Sequence, residues 1–451
     1  MRFADFDELV LQIFKSQRGI HMNSNTQNTK IKSITEKTLV VGIDVGSETH
    51  YARAFDWRNI ELSSSPYAFS NSIDGFQAFL AWAKEIAADN SKEEIFTGME
   101  PTGHYWFNLG AFLQEHGIRP LHVNPFHVKN AKELDDNDPS KNDRKDPKVI
   151  AGLVNEGRFS YPYIPEGVYA EIRALATLRL QTQEEVTRIK NRMARWFSIH
   201  FPEYKDVYRA WDAASGLMIL RVAPLPEDII KLGMDGINKI WREAKLRACG
   251  LKRAAALVNA AERSVGVKMA PEAARVELAV LLEDYERLNS RLKDLEEKID
   301  MALNEIPYVD RLLEIQGVGR LTVCGFIAEV GDISRFDSPK QLQKLAGLAI
   351  VSNSSGKHKG ETHISYRGRK RLRYVMFEAA VSVIARNEAF HSLHKYYTTR
   401  LKTPLKKMQS LIAVACKLIR VFYTIATKDI RYSNTKMLED IHRPEEAAAR
   451  A

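Results

Sequence analysis

Between Thr38 and Pro125 the chain switches repeatedly from the two-residue period of strands to the 3.6-residue period of helices. The order of those switches constrains the fold more than any other feature of the sequence. TLVVGIDVG (38–46) is an apolar run ending in glycine, YARAFD (51–56) alternates, and YAFSNS (67–72) predicts a short third strand. DGFQAFLAWAKEIA (74–87) then carries apolar residues at helical spacing behind Asp74, a suitable cap. EIFTGME (94–100) predicts a fourth strand, HYWFNLGAFLQEHG (104–117) a helix closing on Gly117, and IRPLHVNP (118–125) a fifth strand. Three strands before the first helix exclude a plain doubly wound repeat, in which each strand is followed by a helix.

Three strands, helix, strand, helix, strand, helix is the order of a ribonuclease H-like α/β domain, expected over 38–160. From Glu171 the texture becomes helical. Ile172, Leu175, Arg179, Thr182, Val186, Ile189, Met193 and Trp196 follow alternating three- and four-residue spacings, as do Leu278, Leu281, Tyr285, Leu288, Leu292, Leu295 and Ile299. Each is a heptad seam, suited equally to pairing within one chain or between chains. Pro202, Pro224, Pro226 and Pro271 mark breaks between them, so 165–305 reads as a helical coiled-coil region. A mainly helical domain is expected over 306–400, and a C-terminal helix with a polar tail over 401–451. Residues 1–37 are polar and mixed and read as a flexible extension. The fold class is therefore α/β plus all-α.

The 66 Lys and Arg against 57 Asp and Glu leave a net charge of +9, and 45% apolar content excludes wholesale disorder. Cys249, Cys324 and Cys416 are odd in number and far apart. They exclude a disulfide framework and a cysteine zinc site, and suit a reducing cytoplasm. The apolar segment from Leu411 is interrupted by Lys417 and Arg420, so it reads as a buried or partner-facing helix, with no membrane partner. Asp5, Asp7 and Glu8 stand where an export signal needs positive charge, so a cytoplasmic location is expected.

Asp44 sits among Val40, Val41, Ile43 and Val45, where a carboxylate is costly unless a cation meets it. Glu100 ends the fourth strand at a Gly/Pro turn, and Asp143 and Asp146 lie in SKNDRKDPKVIA after the fifth. In a ribonuclease H-like sheet these places converge at one end, where four carboxylates would hold Mg²⁺ or Mn²⁺. Pro147 leaves a second reading open, Asp146 as a simple helix cap. Glu133, Asp135, Asp136 and Asp138 read as a solvated loop.

Lys357, Lys359, Arg367, Arg369, Lys370, Arg371 and Arg373 form a basic block with one acid, Glu361. Such a block attracts polyphosphate backbones by counterion release. LLEIQGVGRLTVCGFIAEVGD (312–332) resembles a helix-hairpin-helix, in which Gly317 and Gly319 would let backbone N–H groups approach a phosphate; an ordinary αα turn reads equally well. A Ser/Gly-rich loop is expected over 352–356.

Taken together, GIDVGSETH around Asp44, GMEPTG around Glu100, SKNDRKDPKVIA, IQGVGRLT, FDSPKQLQKLAGL, SSGK and the YRG block resemble the DEDD-type insertion-sequence transposases. These have a RuvC-like N-terminal domain and a separate serine-bearing transposase domain, and are guided by a bridge RNA. The likeness runs from about Val40 to Arg386 and is weakest between Pro202 and Pro271. It implies a metal set of Asp44, Glu100, Asp143 and Asp146, and a nucleophile at Ser355 or, failing that, Ser354. It further implies double-stranded DNA as substrate, a guide RNA, and a homo-oligomer (dimer or tetramer) with composite sites. Trp196, Tyr366 and the first-seam residues Arg188, Lys190, Arg192 and Arg195 offer suitable chemistry for RNA. Metal activation by the distant carboxylates is the more economical route to the serine's proton, with His358 and His363 as candidate bases. Two rival readings are a RuvC-like nuclease, in which water attacks, and a non-catalytic nucleic-acid-binding protein. A sugar-kinase or actin-like ATPase would repeat the GIDVGS turn, and the sequence does not.

Overall fold

Thr38–Asp44 (β1) is buried along its length up to Asp44, which is half-buried. The computed structural model describes residues 24–101, 103–135, 145–247, 249–351, 354–355, 358–359, 362–401 and 403–439. Strand β1 pairs antiparallel with Thr49–Phe55 (β2), which pairs antiparallel with Tyr67–Ser70 (β3). On its other side β1 runs parallel to Glu94–Met99 (β4), β4 parallel to Arg119–Val123 (β5), and β5 antiparallel to Phe159–Ser160 (β6). The sheet order is β3-β2-β1-β4-β5-β6. A meander feeding parallel strands needs crossover helices. Beside Ser24–Lys32 (α1), the described helices here are Ile73–Asp89 (α2), Trp106–Glu115 (α3), Pro125–Asp135 (α4) and Asp146–Asn155 (α5).

Strand alternation sorts β1 between two cores. Leu39, Val41, Ile43 and Val45 pack with Phe76, Phe79, Leu109 and Phe112 of α2 and α3. Val40 packs with Phe96, Leu121, Val123 and the α5 residues Val149, Ile150 and Leu153. The mixed sheet with helices on both faces fits the expected ribonuclease H-like α/β fold.

One expectation is corrected here. Residues 24–37 are not a flexible extension: Lys30 Nζ donates to the Phe159 carbonyl at 2.5 Å, Gln27 Nε2 to that of Glu156 at 2.9 Å, and Ile34 is buried. Residues 1–23 lie outside the described residues.

Residues to Ile164 form one compact unit and those from Pro165 another. In the second, Gly167–His200 (α6) leads into shorter helices, Tyr204–Val207 (α7), Ala214–Val222 (α8), Pro226–Glu243 (α9) and Leu251–Glu262 (α10). Pro271–Asn304 (α11) then returns alongside α6. The seams pair with each other inside the chain, and they do so antiparallel. Arg179 meets Glu296 at 2.7 Å near one end, and Trp196 Nε1 donates to the Ala274 carbonyl at 3.0 Å near the other. Tyr204, Ile219, Trp241 and Leu257 of the shorter helices share a core with Trp196 and Leu278.

Beyond α11 come Val309–Leu313 (α12), Arg320–Val330 (α13), Pro339–Leu345 (α14), Lys370–Arg386 (α15), Glu388–Thr399 (α16), Lys407–Lys428 (α17) and Asn434–Glu439 (α18). Phe326, Leu342, Met376, Phe390, Leu418 and Phe422 form their core, joined by Ile172 of α6 and Leu303 of α11. By length and composition α17 is apolar enough to cross a membrane. Its Val414, Leu418, Ile419 and Phe422 are instead fully buried in this core, as the sequence suggested.

Candidate functional site

Asp44 lies two residues beyond Gly42, on the face of β1 that α5 covers. Glu100 follows Met99 and by the same alternation shares a face with Phe96 and Gly98. Because Ile43 and Met99 are register partners, Asp44 and Glu100 emerge at one level from adjacent parallel strands. Both glycines are needed for helix approach. A Cβ at Gly42 would lie 1.8 Å from the Pro147 carbonyl oxygen, and one at Gly98 would lie 2.5 Å from Val154 Cγ2.

Helix α5 runs antiparallel to β1. Its start lies over Gly42, while its last residue, Asn155, donates to the Asp56 carbonyl at 2.9 Å. Asp56 follows Phe55, the register partner of Val40, so α5 ends toward the other end of the strand. Asp146, the first residue of α5, therefore stands at the Asp44 end. Lys145, not Asp146, is the cap residue, and Asp146 Oδ2 instead pairs with Lys132 Nζ of α4 at 2.5 Å. Asp143 lies outside the described residues.

The backbone thus brings Asp44, Glu100 and Asp146 to one end and one face of the sheet. Among the described residues, no three acidic, cysteine or histidine side chains converge into a ready metal cage. The donor set is all carboxylate oxygen, two members at the ends of buried strands and a third, Asp146, at a helix start where it already holds an ammonium. Such chemistry fits a hard divalent cation.

Two histidines flank this end, and neither was singled out from the sequence. His50 is fully buried, and its Nδ1 accepts from the Gly46 N–H at 3.2 Å, tying down the turn that follows Asp44. Burial lowers its pKa. Its signal in the sequence is a histidine two residues into an otherwise alternating strand. His122 of β5 sits opposite Met99 with its ring edge against Trp106, the centroids 4.1 Å apart. Burial pushes its pKa down to about 4.

The serine segment belongs to the second unit. Ser354–Ser355 (β8), expected in a plain loop, pairs antiparallel with His358–Lys359 (β9), and the register sets Ser355 opposite His358. Ile350–Val351 (β7) pairs with His363–Ile364 (β10) around it. Gly356, Lys357 and Glu361 lie outside the described residues.

The basic block divides in two. Arg369 meets Glu329 at 3.3 Å. Arg371 donates to the Ala176 carbonyl at 2.6 Å and to Thr177 Oγ1 at 3.2 Å, with Glu329 at 3.7 Å. Arg373 donates to the Ala346 carbonyl at 3.0 Å and lies over the Tyr366 ring. These three hold the second unit together: Glu329, forty residues before Arg369, compensates Arg369 and Arg371, and backbone carbonyls hold Arg373. Arg367 and Lys370 are exposed. Lys359 is in β9.

Gly317 is explained by packing: its φ is +94° and a Cβ would lie 2.8 Å from Val383 Cα of α15. Gly319 is the exposed cap residue of α13. Trp196 is corrected from a candidate RNA contact to a core residue, 1% exposed. Arg188, Lys190, Arg192 and Arg195 are exposed along α6.

Acids at the strand ends of a ribonuclease H-like sheet, carried with a helical unit bearing exposed cations, suit an enzyme of the nucleic-acid-processing class. Residues 41–202 match the profile of a DEDD transposase family, and residues 309–395 that of the IS116/IS110/IS902 transposase family, between them more than half of the chain. The chain belongs to the IS110 family of DEDD transposases.

Among its relatives, an uncharacterized 44.8 kDa protein of insertion element IS116 from Streptomyces clavuligerus is 23% identical over 85% of this chain and 94% of its own length. The pilin gene-inverting protein of Moraxella bovis is 31% identical over 33% of this chain and 48% of its own. The transposase of insertion sequence element IS1111A from Coxiella burnetii is 24% identical over 63% of this chain and 65% of its own. The chain thus spans about half the length of the pilin-inverting relative.

Proposed function

We propose that the protein cleaves and rejoins DNA strands through the Ser355 hydroxyl, with Asp44, Glu100, Asp143 and Asp146 holding Mg²⁺ or Mn²⁺ for the same reaction. The supporting observation is the pair of glycines, Gly42 and Gly98, that seat α5 so closely on the sheet that Asp146 stands at the end where Asp44 and Glu100 emerge. The bound ion would polarise the scissile phosphate and neutralise the charge that develops on transfer.

The serine oxygen bonds to phosphorus as a P–O ester bond of the strand breaks. The serine proton leaves to a base, for which His358 opposite Ser355 is the nearest candidate by register, and the departing strand oxygen takes up a proton. Attack by the hydroxyl end of a second strand reverses the chemistry and rejoins the DNA. The domain over 306–400 is on this reading the serine-bearing transposase domain. A guide RNA choosing the DNA site and a dimeric or tetrameric assembly complete the proposal. The exposed cations along α6 and Arg367 with Lys370 support the RNA contact.

The test is a denaturant-resistant protein–DNA adduct, assayed with and without Mg²⁺ and co-purified RNA. Loss of the adduct on Ser355→Ala, and separately on Asp44→Ala, is the expected result. Unchanged strand cleavage by Ser355→Ala would refute the serine reading in favour of a nuclease. An adduct lost only on Ser354→Ala would move the nucleophile by one position.

A further inference from the structure

From Lys395 to Lys436 the sequence carries ten Lys and Arg and a single acid, Asp429, which Arg311 already engages. This stretch lies almost wholly beyond the segment that matches the transposase profile, which ends at residue 395. The structure folds part of it into an open groove of about 170 Å³ between the C-terminal half of α17 and the segment leading into α18. Lys417, Arg420, Arg431 and Lys436 line the groove together with Thr424 and Ser433, and among the described residues no carboxylate lines it.

Two features make this more than a charged surface. Lys417, Arg420 and Lys436 are fixed to helices whose apolar sides are buried, Leu418, Ile419, Phe422 and Ile425 anchoring α17 and Met437 anchoring α18, while Arg431 lies on the segment between them. The wall is therefore preorganised. The polar lining also suits an anion. Ser433 Oγ accepts from the Lys436 N–H at 3.3 Å, which leaves its own proton to donate. At the rim Arg431 pairs with Glu314 at 3.7 Å, joining an 83% exposed side chain to a 41% exposed one, a weak pair that an anion displaces at little cost.

We propose that this groove binds a stretch of phosphodiester backbone, anchoring nucleic acid through residues that belong neither to the acid-bearing strand ends nor to the serine hairpin. The inference rests on the reading that the protein handles nucleic acid, and it deepens it by naming a backbone-holding subsite. Shape and charge do not choose between DNA and RNA, since the shared ligand is the phosphate diester.

The test uses the full-length protein with a short duplex DNA of unrelated sequence and, separately, a structured RNA, measuring affinity across a salt series. For the triple variant R420Q/R431Q/K436Q, the slope of log K against log salt on duplex DNA is expected to flatten by about 2 to 3, near 0.9 per lost phosphate contact. The charge-preserving variant R420K/R431K/K436R keeps the slope. If the triple variant does not fold, the three single Gln variants are measured, each with about a third of the effect. Flattening with DNA alone or RNA alone supports the groove and identifies its source of phosphate. Slopes unchanged with both polymers overturn it. Those slopes need no catalysis, so an intact Ser355 adduct with unchanged slopes would remove this groove and leave the strand-transfer reading standing.

Discussion

Replacing Gly42 by alanine tests how the acid-bearing end is built. The added methyl would meet three backbone atoms of α5: the Pro147 carbonyl oxygen at 1.8 Å, its carbon at 2.8 Å and the Ala151 nitrogen at 2.9 Å. Backbone cannot rotate aside, so α5 must withdraw by about 1.5 Å to reach ordinary contact. Withdrawal uncovers Val149, Ile150 and Leu153, which close this face of the sheet. Overpacking against an immobile neighbour costs about 3 kcal/mol, on the order of a hundredfold in the local opening equilibrium.

Gly98→Ala meets side-chain methyls of Val154 and Ile150 that can yield, and should cost about 1 kcal/mol. Gly152→Ala is the control. This glycine is inside α5 with nothing within 4 Å of its would-be Cβ, so alanine should stabilise by about 0.5–1 kcal/mol. Hydrogen exchange read by mass spectrometry on peptides spanning 38–46 and 146–155 of the intact protein reports the local free energies. Equal protection in Gly42→Ala and Gly152→Ala would refute the close-approach argument, and with it the placement of Asp146 by packing.

Two further outcomes separate structure from binding. Arg371→Met removes charged hydrogen bonds to α6 and should lower stability by about 2–3 kcal/mol in urea titration. Lys370→Gln, one residue earlier and exposed, should stay within about 0.5 kcal/mol, and equal losses would show that the basic block is not divided as described. His122 gives a pH signature. Its folded pKa of about 4 lies below the ordinary 6.5, so between those values the unfolded chain binds more protons. The stability it contributes is full above about pH 6.5 and declines as pH falls toward 4, by at most about 3 kcal/mol. His122→Phe, which keeps the contact with Trp106, should flatten the acid limb of the urea midpoint; an unchanged limb would place the proton uptake elsewhere.

The strand and helix order of the first unit was legible because each element carries its own period, and Asp44 stood out as a charge within an apolar run. The roles of Gly42 and Gly98 were not legible, since the helix that needs them begins about a hundred and fifty residues into the chain. A heptad seam advertises a hydrophobic stripe without naming its partner, so only the Arg179–Glu296 and Trp196–Ala274 contacts show the two stripes meeting each other. Trp196 carried its own warning: it occupies a seam position, which already implied burial. The arginines at 369, 371 and 373 read as part of a phosphate-attracting block because a local charge count sees neither Glu329, which meets the first two, nor the Ala346 carbonyl that holds the third. Ser355 had no physical signal of its own beyond a serine–glycine turn, and its selection came from likeness to a family.

The antiparallel course of α6 and α11 has an architectural corollary. Ile172 near the outbound start and Ile299 near the inbound finish share one core. Everything between leaves and returns through a single doorway, like an arm bolted at one shoulder. Lengthening, trimming or exchanging its far portion therefore changes the reach of the arm without moving the shoulder.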